Sequence, residues 1–236
     1  MSLANDASSI AATLVRLGFG MELAPGAKAP AERLALYDFE ACPFCRKVRE
    51  ALSHLGLEVE MRPVGKGSPR RAELQQRGGK IMAPYLVDPN SGSEMYESDD
   101  IVRYLYTTYA DGQVPLLQSL GPLNTALSAV ASAIRLERGV RARVKRPSPP
   151  PKLLELYNME SSPYCRKVRE ALVELDLPYV CKNAPRRSAV REELRRLGGK
   201  VMVPYLADPN TGRAMYESDD IVRYLDETYG RSAQGQ

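Results

Sequence analysis

Cys42-Pro43-Phe44-Cys45 places two thiols three residues apart at the start of a strongly helical run. Pro suits the first turn of a helix, where the amide it lacks would have no partner in any case. Cys42 is therefore expected at a helix N-terminus, where free backbone amides and the positive end of the helix dipole favour an anion. A thiol in such a place can fall from a pKa of ~8.5 to between ~3.5 and ~7.5. The chemistry would be thiol–disulfide exchange, with Cys42 as nucleophile and Cys45, one helical turn inward, as resolving thiol. Arg46 and Lys47 add positive charge nearby. The bland alternative is two small buried apolar residues that happen to be cysteines.

The segment occurs twice. Residues 154–175 repeat residues 34–55, and Cys45 and Cys165, Pro84 and Pro204, and Ser98 and Ser218 are each separated by 120 positions. This is a duplication without insertions. The second copy reads Ser162-Pro163-Tyr164-Cys165, so a hydroxyl replaces the first thiol. Ser is a preferred helix cap, which explains Ser162 without chemistry. Cys181 stands where the first copy has Met61 and is read as core, and His54, the single His, as structural. Four cysteines so distributed are no disulfide framework, and with one His no four-ligand zinc site can be assembled within one copy; no metal is expected.

The elements that must hold these residues follow from the local pattern. A strand over Leu34 to Tyr37 leads into a helix over 43–55 with an apolar stripe of Val48, Ala51, Leu52 and Leu55, stopped by Gly56. A second strand over 58–62 precedes a short helix over 70–76. A strand over 81–87 contains Pro84, and Asp88-Pro89-Asn90-Ser91-Gly92 turns the chain back through 94–96. A last helix runs to Tyr109 with Ser98 as its expected N-cap and acids in its first turn. The order is βαβαββα, and it repeats from Leu153 to Tyr229. The expected divisions are a helical arm over 1–32, a first domain over 33–110, a helical and Pro-rich linker over 111–152, a second domain over 153–230 and a tail over 231–236. Within these, helices are expected over 7–17 and 124–137, and Pro147 to Pro151 forms a stiff spacer. Tyr37, Tyr85, Tyr104, Tyr157, Tyr205 and Tyr224 recur between copies and read as packing residues.

Composition narrows the function. The 236 residues are 44% hydrophobic with interspersed charges and a net charge of +4, as in a globular protein. No apolar run approaches the ~18 residues of a membrane span, no secretory leader is visible, and the expected location is cytoplasmic. Arg46-Lys47-Val48-Arg49-Glu50 reads as a solvated helix face. The denser group Arg186, Arg187, Arg191, Arg195 and Arg196 has no interleaved aromatics, so neither nucleic acid nor a membrane is an expected partner.

Taken together, the βαβαββα order, the Cys-Pro-Phe-Cys turn, Pro84 and Pro204, and the Glu-Ser pairs before the last helices resemble the thioredoxin-fold, glutaredoxin-like N-terminal domain of glutathione S-transferases. The resemblance covers about two thirds of the chain, once per copy. It implies two tandem thioredoxin-fold α/β domains, each with a mixed four-stranded sheet, without the long all-helical domain that follows in a typical glutathione transferase. Glutathione is then the implied co-substrate. Cys42 would attack a disulfide or a glutathionylated protein, and Cys45 or a second glutathione would resolve the intermediate, with Pro43 and Phe44 beside them. Ala83 and Val203, each before a cis Pro84 or Pro204, would offer backbone to the cysteinyl part of glutathione; an edge-strand Pro is the alternative. Glu97-Ser98 and Glu217-Ser218 would take its γ-glutamyl end, although plain capping also explains both Ser residues. In the second copy, with Pro163, Tyr164 and Cys165, Ser162 would donate to a glutathione thiolate or only cap its helix. A glutathione-ligated iron–sulfur cluster on Cys42, conjugation of glutathione to a small electrophile, and a non-catalytic glutathione-binding scaffold are the other readings. The oligomeric state is not read from the sequence.

Overall fold

Leu34-Ala-Leu-Tyr-Asp38 has almost no polar surface to offer water and forms β1 (Leu34–Asp38), buried along its length, as a strand covered on both faces must be. The computed structural model describes residues 20–119, 138–144 and 149–230; the helices expected over 7–17 and 124–137 and the tail over 231–236 lie outside the described residues. β1 pairs in parallel with β2 (Glu58–Pro63) and antiparallel with β3 (Tyr85–Asp88), which returns as β4 (Ser93–Met95). α1 (Pro43–His54) and α3 (Ser98–Tyr109) cover one face, and α2 (Arg70–Gly78) the other. A short α4 (Leu116–Ser119) follows. The second copy repeats the order as β5 (Leu154–Asn158), α5 (Pro163–Glu174), β6 (Tyr179–Asn183), α6 (Ala189–Gly198), β7 (Tyr205–Asp208), β8 (Arg213–Met215) and α7 (Ser218–Tyr229).

The two expected four-stranded sheets are halves of one. β2 and β6 pair antiparallel, with Glu58 opposite Lys182, Val59 opposite Cys181 and Met61 opposite Tyr179, giving the order β4-β3-β1-β2-β6-β5-β7-β8. Each half would otherwise expose the unpaired backbone of an edge strand. The helical face shares a single apolar core in which Leu36, Val59 and Met61 join Leu156, Leu177 and Cys181. The connecting segments also span both copies. Glu22 bridges to Arg186, and Lys66 to Arg141. Gly139 (φ 67°) runs so close to the chain that a Cβ there would lie 2.8 Å from that of Glu40.

Three expectations are corrected. Pro84 and Pro204 do not lie inside strands: β3 and β7 begin one residue later, so no ladder hydrogen bond is lost. Ser98 and Ser218 are the first helical residues rather than the caps. The N-cap positions belong to Glu97 and Glu217, both at φ 65°, with no side-chain cap hydrogen bond. The run Arg46-Lys47-Val48-Arg49-Glu50 is buried throughout, not solvated, and so is its repeat over Arg166 to Glu170.

The reason is the contact between the copies. Arg49 reaches Glu40 at 3.2 Å and Glu160 at 3.3 Å, and Arg169 reaches Glu40 at 3.0 Å and Glu160 at 3.1 Å. Two guanidinium groups and two carboxylates thus form a closed, charge-neutral ring, every member at most 4% exposed. Asp38 and Asn158 complete it, accepting from Arg49 Nη1 at 2.7 Å and from Arg169 Nη1 at 2.6 Å. Burial alone would raise the Glu40 carboxyl, but Arg169 and Arg49 outweigh it and hold Glu40 at about 2. Asp38, with the single partner Arg49 against the like charges of Glu40 and Glu160, is instead pushed up by burial to about 6.

Removing one member of such a network leaves an uncompensated buried charge, which costs about 3–5 kcal/mol. Glu160→Ala is therefore expected to lower unfolding stability by that order in urea titration, whereas Arg103→Ala, at an exposed pair with Asp100, shifts it by less than about 1 kcal/mol. Equal effects of the two substitutions would refute the ring as the brace between the copies.

Candidate functional site

The chain turns sharply after β1. The Cys42 amide donates to the Phe39 carbonyl at 3.1 Å, which places Cys42 at the cap of α1 with Pro43 as its first residue. Cys42 Sγ accepts the Cys45 amide at 3.3 Å. The Cys45 thiol also donates to that sulfur, and this is the main influence holding the Cys42 thiol below its ordinary range, with Arg49 adding a favourable charge against the opposing effect of burial. Cys45 is wholly buried and pushed well up, by burial first and then by the neighbouring Cys42 sulfur. The two thiols are thus shifted in opposite directions. All four cysteines are free thiols.

Ala83 is brought to the same place. Its carbonyl lies 3.8 Å from Cys42 Sγ, and the Ala83–Pro84 bond is cis. Phe44 stands out from the helix end, 47% exposed. Beside them lies a cavity of about 240 Å³ lined by Phe39, Val64, Leu74, Met82 and Ala83, with the cations Lys66 and Arg71 at its wall. Val140, from the segment joining the copies, closes one side.

Glu97-Ser98 reaches α1 by another route. Asp99, in the first turn of α3, pairs with the Nζ of the fully buried Lys47, which ties the N-terminus of α3 to the second turn of α1. Ser98 is buried and Glu97 is not. A non-Gly residue at positive φ is uncommon, and Glu97 and Glu217 adopt the same one.

The second copy keeps the frame and has a hydroxyl where the first has a thiol. Ser162 Oγ accepts the Cys165 amide at 3.3 Å, the Val203–Pro204 bond is cis, Tyr164 is 48% exposed, and Lys167 pairs with Asp219 at 2.5 Å. Burial pushes the Cys165 thiol up even though Ser162 favours its anion. Cys181 is buried in the core as expected. The recurring tyrosines are engaged in hydrogen bonds: Tyr37 with Glu73, Tyr85 with Glu94, and Tyr104 with Asp88. His54 Nδ1 is 2.7 Å from the Tyr106 hydroxyl.

Lys47, expected only as a positive charge near Cys42, and Arg49 and Asp38 hold places that the sequence reading did not assign them. The one sequence signal for the first two is that the charges at 46, 47, 49 and 50 leave too little of the helix surface free for water once the stripe of 48, 51 and 52 is buried. Asp38 carries no such signal. Among the described residues no group of three or more His, Cys, Asp or Glu is placed to hold a metal ion, and no helix is long and apolar enough to cross a membrane.

The family model described as "Glutathione S-transferase, N-terminal domain" matches the chain twice, over residues 36–116 and 156–233. Among solved structures, the chain is similar to Leishmania TDR1, described as a unique trimeric glutathione transferase, at 17% identity over 86% of this chain and 71% of that one, with a TM-score of 0.31. No curated protein matches the chain in sequence.

Because the folded state lowers the Cys42 thiol, its thiolate persists as pH falls through the range where an ordinary thiol near ~8.5 is already protonated. The rate of alkylation by iodoacetamide is expected to have its midpoint below ~8.5 and to vanish in Cys42→Ser, with the other three thiols protected until unfolding. A midpoint at ~8.5 or above would refute the prepared thiolate.

Proposed function

Starting from a chain that belongs to the glutathione S-transferase N-terminal domain family in both of its copies, we propose that it is a glutathione-dependent thiol–disulfide oxidoreductase working through Cys42. The observation that carries the reading is the division between the two thiols, Cys42 lowered at the helix cap and Cys45 raised behind it. A transferase that only steadies the thiolate of glutathione has no use for such a pair.

In this mechanism the Cys42 thiolate attacks the glutathione sulfur of a glutathionylated thiol. A new S–S bond forms between Cys42 and glutathione, the old one breaks, and the released thiolate takes a proton from water. A second glutathione thiolate then attacks the glutathione sulfur on Cys42, forming oxidised glutathione and restoring the Cys42 thiolate. Alternatively Cys45 attacks the Cys42 sulfur, closing a Cys42–Cys45 disulfide and expelling glutathione. Phe44, beside the sulfur and half exposed, would pack against the substrate. The Ala83 backbone would pair with the cysteinyl unit of glutathione, and its γ-glutamyl end would lie against Glu97-Ser98 and the free amides of α3. Lys66 and Arg71 at the cavity are complementary to a carboxylate.

The second copy would bind glutathione without a covalent step, since a Ser hydroxyl cannot form a mixed disulfide. Ser162 and Cys165 would hold its thiol, with Pro163 and Tyr164 beside it, Val203 and Pro204 at its backbone and Glu217-Ser218 at its γ-glutamyl end.

Turnover in a glutathione-coupled disulfide reduction assay is expected to fall to the uncatalysed rate in Cys42→Ser. Cys45→Ser is expected to keep glutathionylated substrates turning over, because a second glutathione replaces the internal thiol, and to lose reduction that proceeds through the internal disulfide. Conjugation of glutathione to a chlorinated nitrobenzene with no disulfide reduction would favour transfer to an electrophile instead, and neither activity would favour a scaffold.

A further inference from the structure

α2 and its repeat α6 begin beside Ser68 and Ser188, 120 positions apart, and the two hydroxyls are placed differently. Ser68 Oγ donates to the Pro63 carbonyl at 3.2 Å and accepts the Arg70 amide at 3.2 Å. Ser188 holds the cap position of the ten-residue α6 and makes no cap hydrogen bond. It is 7% exposed, and its Oγ has no hydrogen-bond partner among the described residues. Buried polar groups are seldom left so, and the first amides of a helix have no acceptor within it.

Ser188 lines a cavity of about 450 Å³ where the two copies meet. Ala189 and Val190 continue that wall, and Leu23, Ala27, Pro30 and Leu57 of the first copy form the opposite one. Arg33, at the rim, donates its Nε to Glu58 at 2.8 Å, and Lys28 is the one lining cation without an acidic partner among the described residues. The equivalent junction on the other side is built differently. There Arg70 stands in place of Val190 and Asp176 in place of Gly56, and the two form an ion pair at 3.2 Å with Asp176 fully buried. The cavity of about 410 Å³ at that junction is walled by Glu60, Arg62, Arg70 and Glu73, whose charges are paired with one another or with Asp176. At the Ser188 junction neither the cation nor the carboxylate is present. Leu23 instead covers Gly56 so closely that a Cβ there would lie 2.8 Å from its Cδ1. A hydroxyl and a helix start without their usual partners thus border a largely apolar space.

We propose that this cavity binds an aliphatic monocarboxylate, with its head on the Ser188 hydroxyl and the first amides of α6 and its chain along Leu23, Ala27 and Leu57. A helix N-terminus favours an anion, and the volume lies within the range of small-ligand sites. One negative charge suits the site better than two, because Glu58 stands at the wall and Glu192 in the first turn of α6. The site shares no lining residue with the cavity beside Cys42, so it stands apart from the exchange reaction proposed above.

Octanoate titrated into the full chain, followed by calorimetry and by amide shifts in ¹⁵N spectra, is expected to bind at one site, with the amides of Leu57, Ala189 and Val190 shifting most. Ser188→Ala is expected to weaken binding at least about tenfold, the worth of a hydrogen bond to a charged group. The same substitution is expected to leave the unfolding midpoint unchanged or higher, since the hydroxyl has no partner to lose. Ala29→Trp, which fills the cavity from its exposed rim, is expected to abolish binding. Octanol, with the same chain and no charge, is expected to bind at least about tenfold more weakly than octanoate. No saturable binding by the parent protein, unchanged affinity in either variant, or octanol binding as tightly as octanoate would each overturn the site. So would a fall in the unfolding midpoint of Ser188→Ala, which would show that the hydroxyl is already engaged.

Discussion

The buried ring of Arg49, Arg169, Glu40 and Glu160 is the constraint on which the rest of the molecule depends. Four full charges withdrawn from water would each cost several kcal/mol, and each is tolerated because it touches at least two opposite charges, including one from its own copy and one from the other. Each copy pairs its own Arg and Glu, and the two pairs lock together through Arg49–Glu160 and Arg169–Glu40. The ring therefore sets how the copies meet, and through that the β2–β6 pairing and the shared core. Burial makes it both costly and specific, because a slip of one residue in the seam would separate charges that have no water to turn to.

The same Arg links the brace to Cys42. Arg49 belongs to the ring, carries Asp38 and lowers the Cys42 thiol. α1 thus presents its N-terminus to the Cys42 sulfur, its buried charged face to the other copy and its apolar stripe to the core. Lys47 adds a fourth tie, to α3. A thiolate at a helix cap is only as well placed as the helix, and here the helix is held on every side.

The Cys pair, the duplication, the βαβαββα order and the stop at Gly56 were all readable from residue types and spacing, because each rests on local rules of turns and helix ends. The cap of α3 was not: Ser, Asp and Asp after Glu97 satisfy the rules for a cap one position away from where it lies, and only tertiary packing moves it. Pro84 was misplaced for a related reason, since a short apolar run does not say where within it the ladder begins. The buried charges were the largest omission. Arg46-Lys47-Val48-Arg49-Glu50 has the composition of a wet surface, and what dries it is a matching surface 120 residues away. No local pattern announces that partner, although Glu40 and Glu160 lie within the repeated segment.

The antiparallel seam between β2 and β6 has a consequence for how such a molecule can change over time. The halves meet as two identical subunits would across a twofold axis, and in an assembly of identical subunits every substitution is made twice, so a site cannot be altered without altering its mate. With both halves on one polypeptide, thiol and hydroxyl, or carboxylate and amide, can occupy symmetry-related places while the shared interface stays intact. One half is then free to drift toward a new task under the shelter of the other.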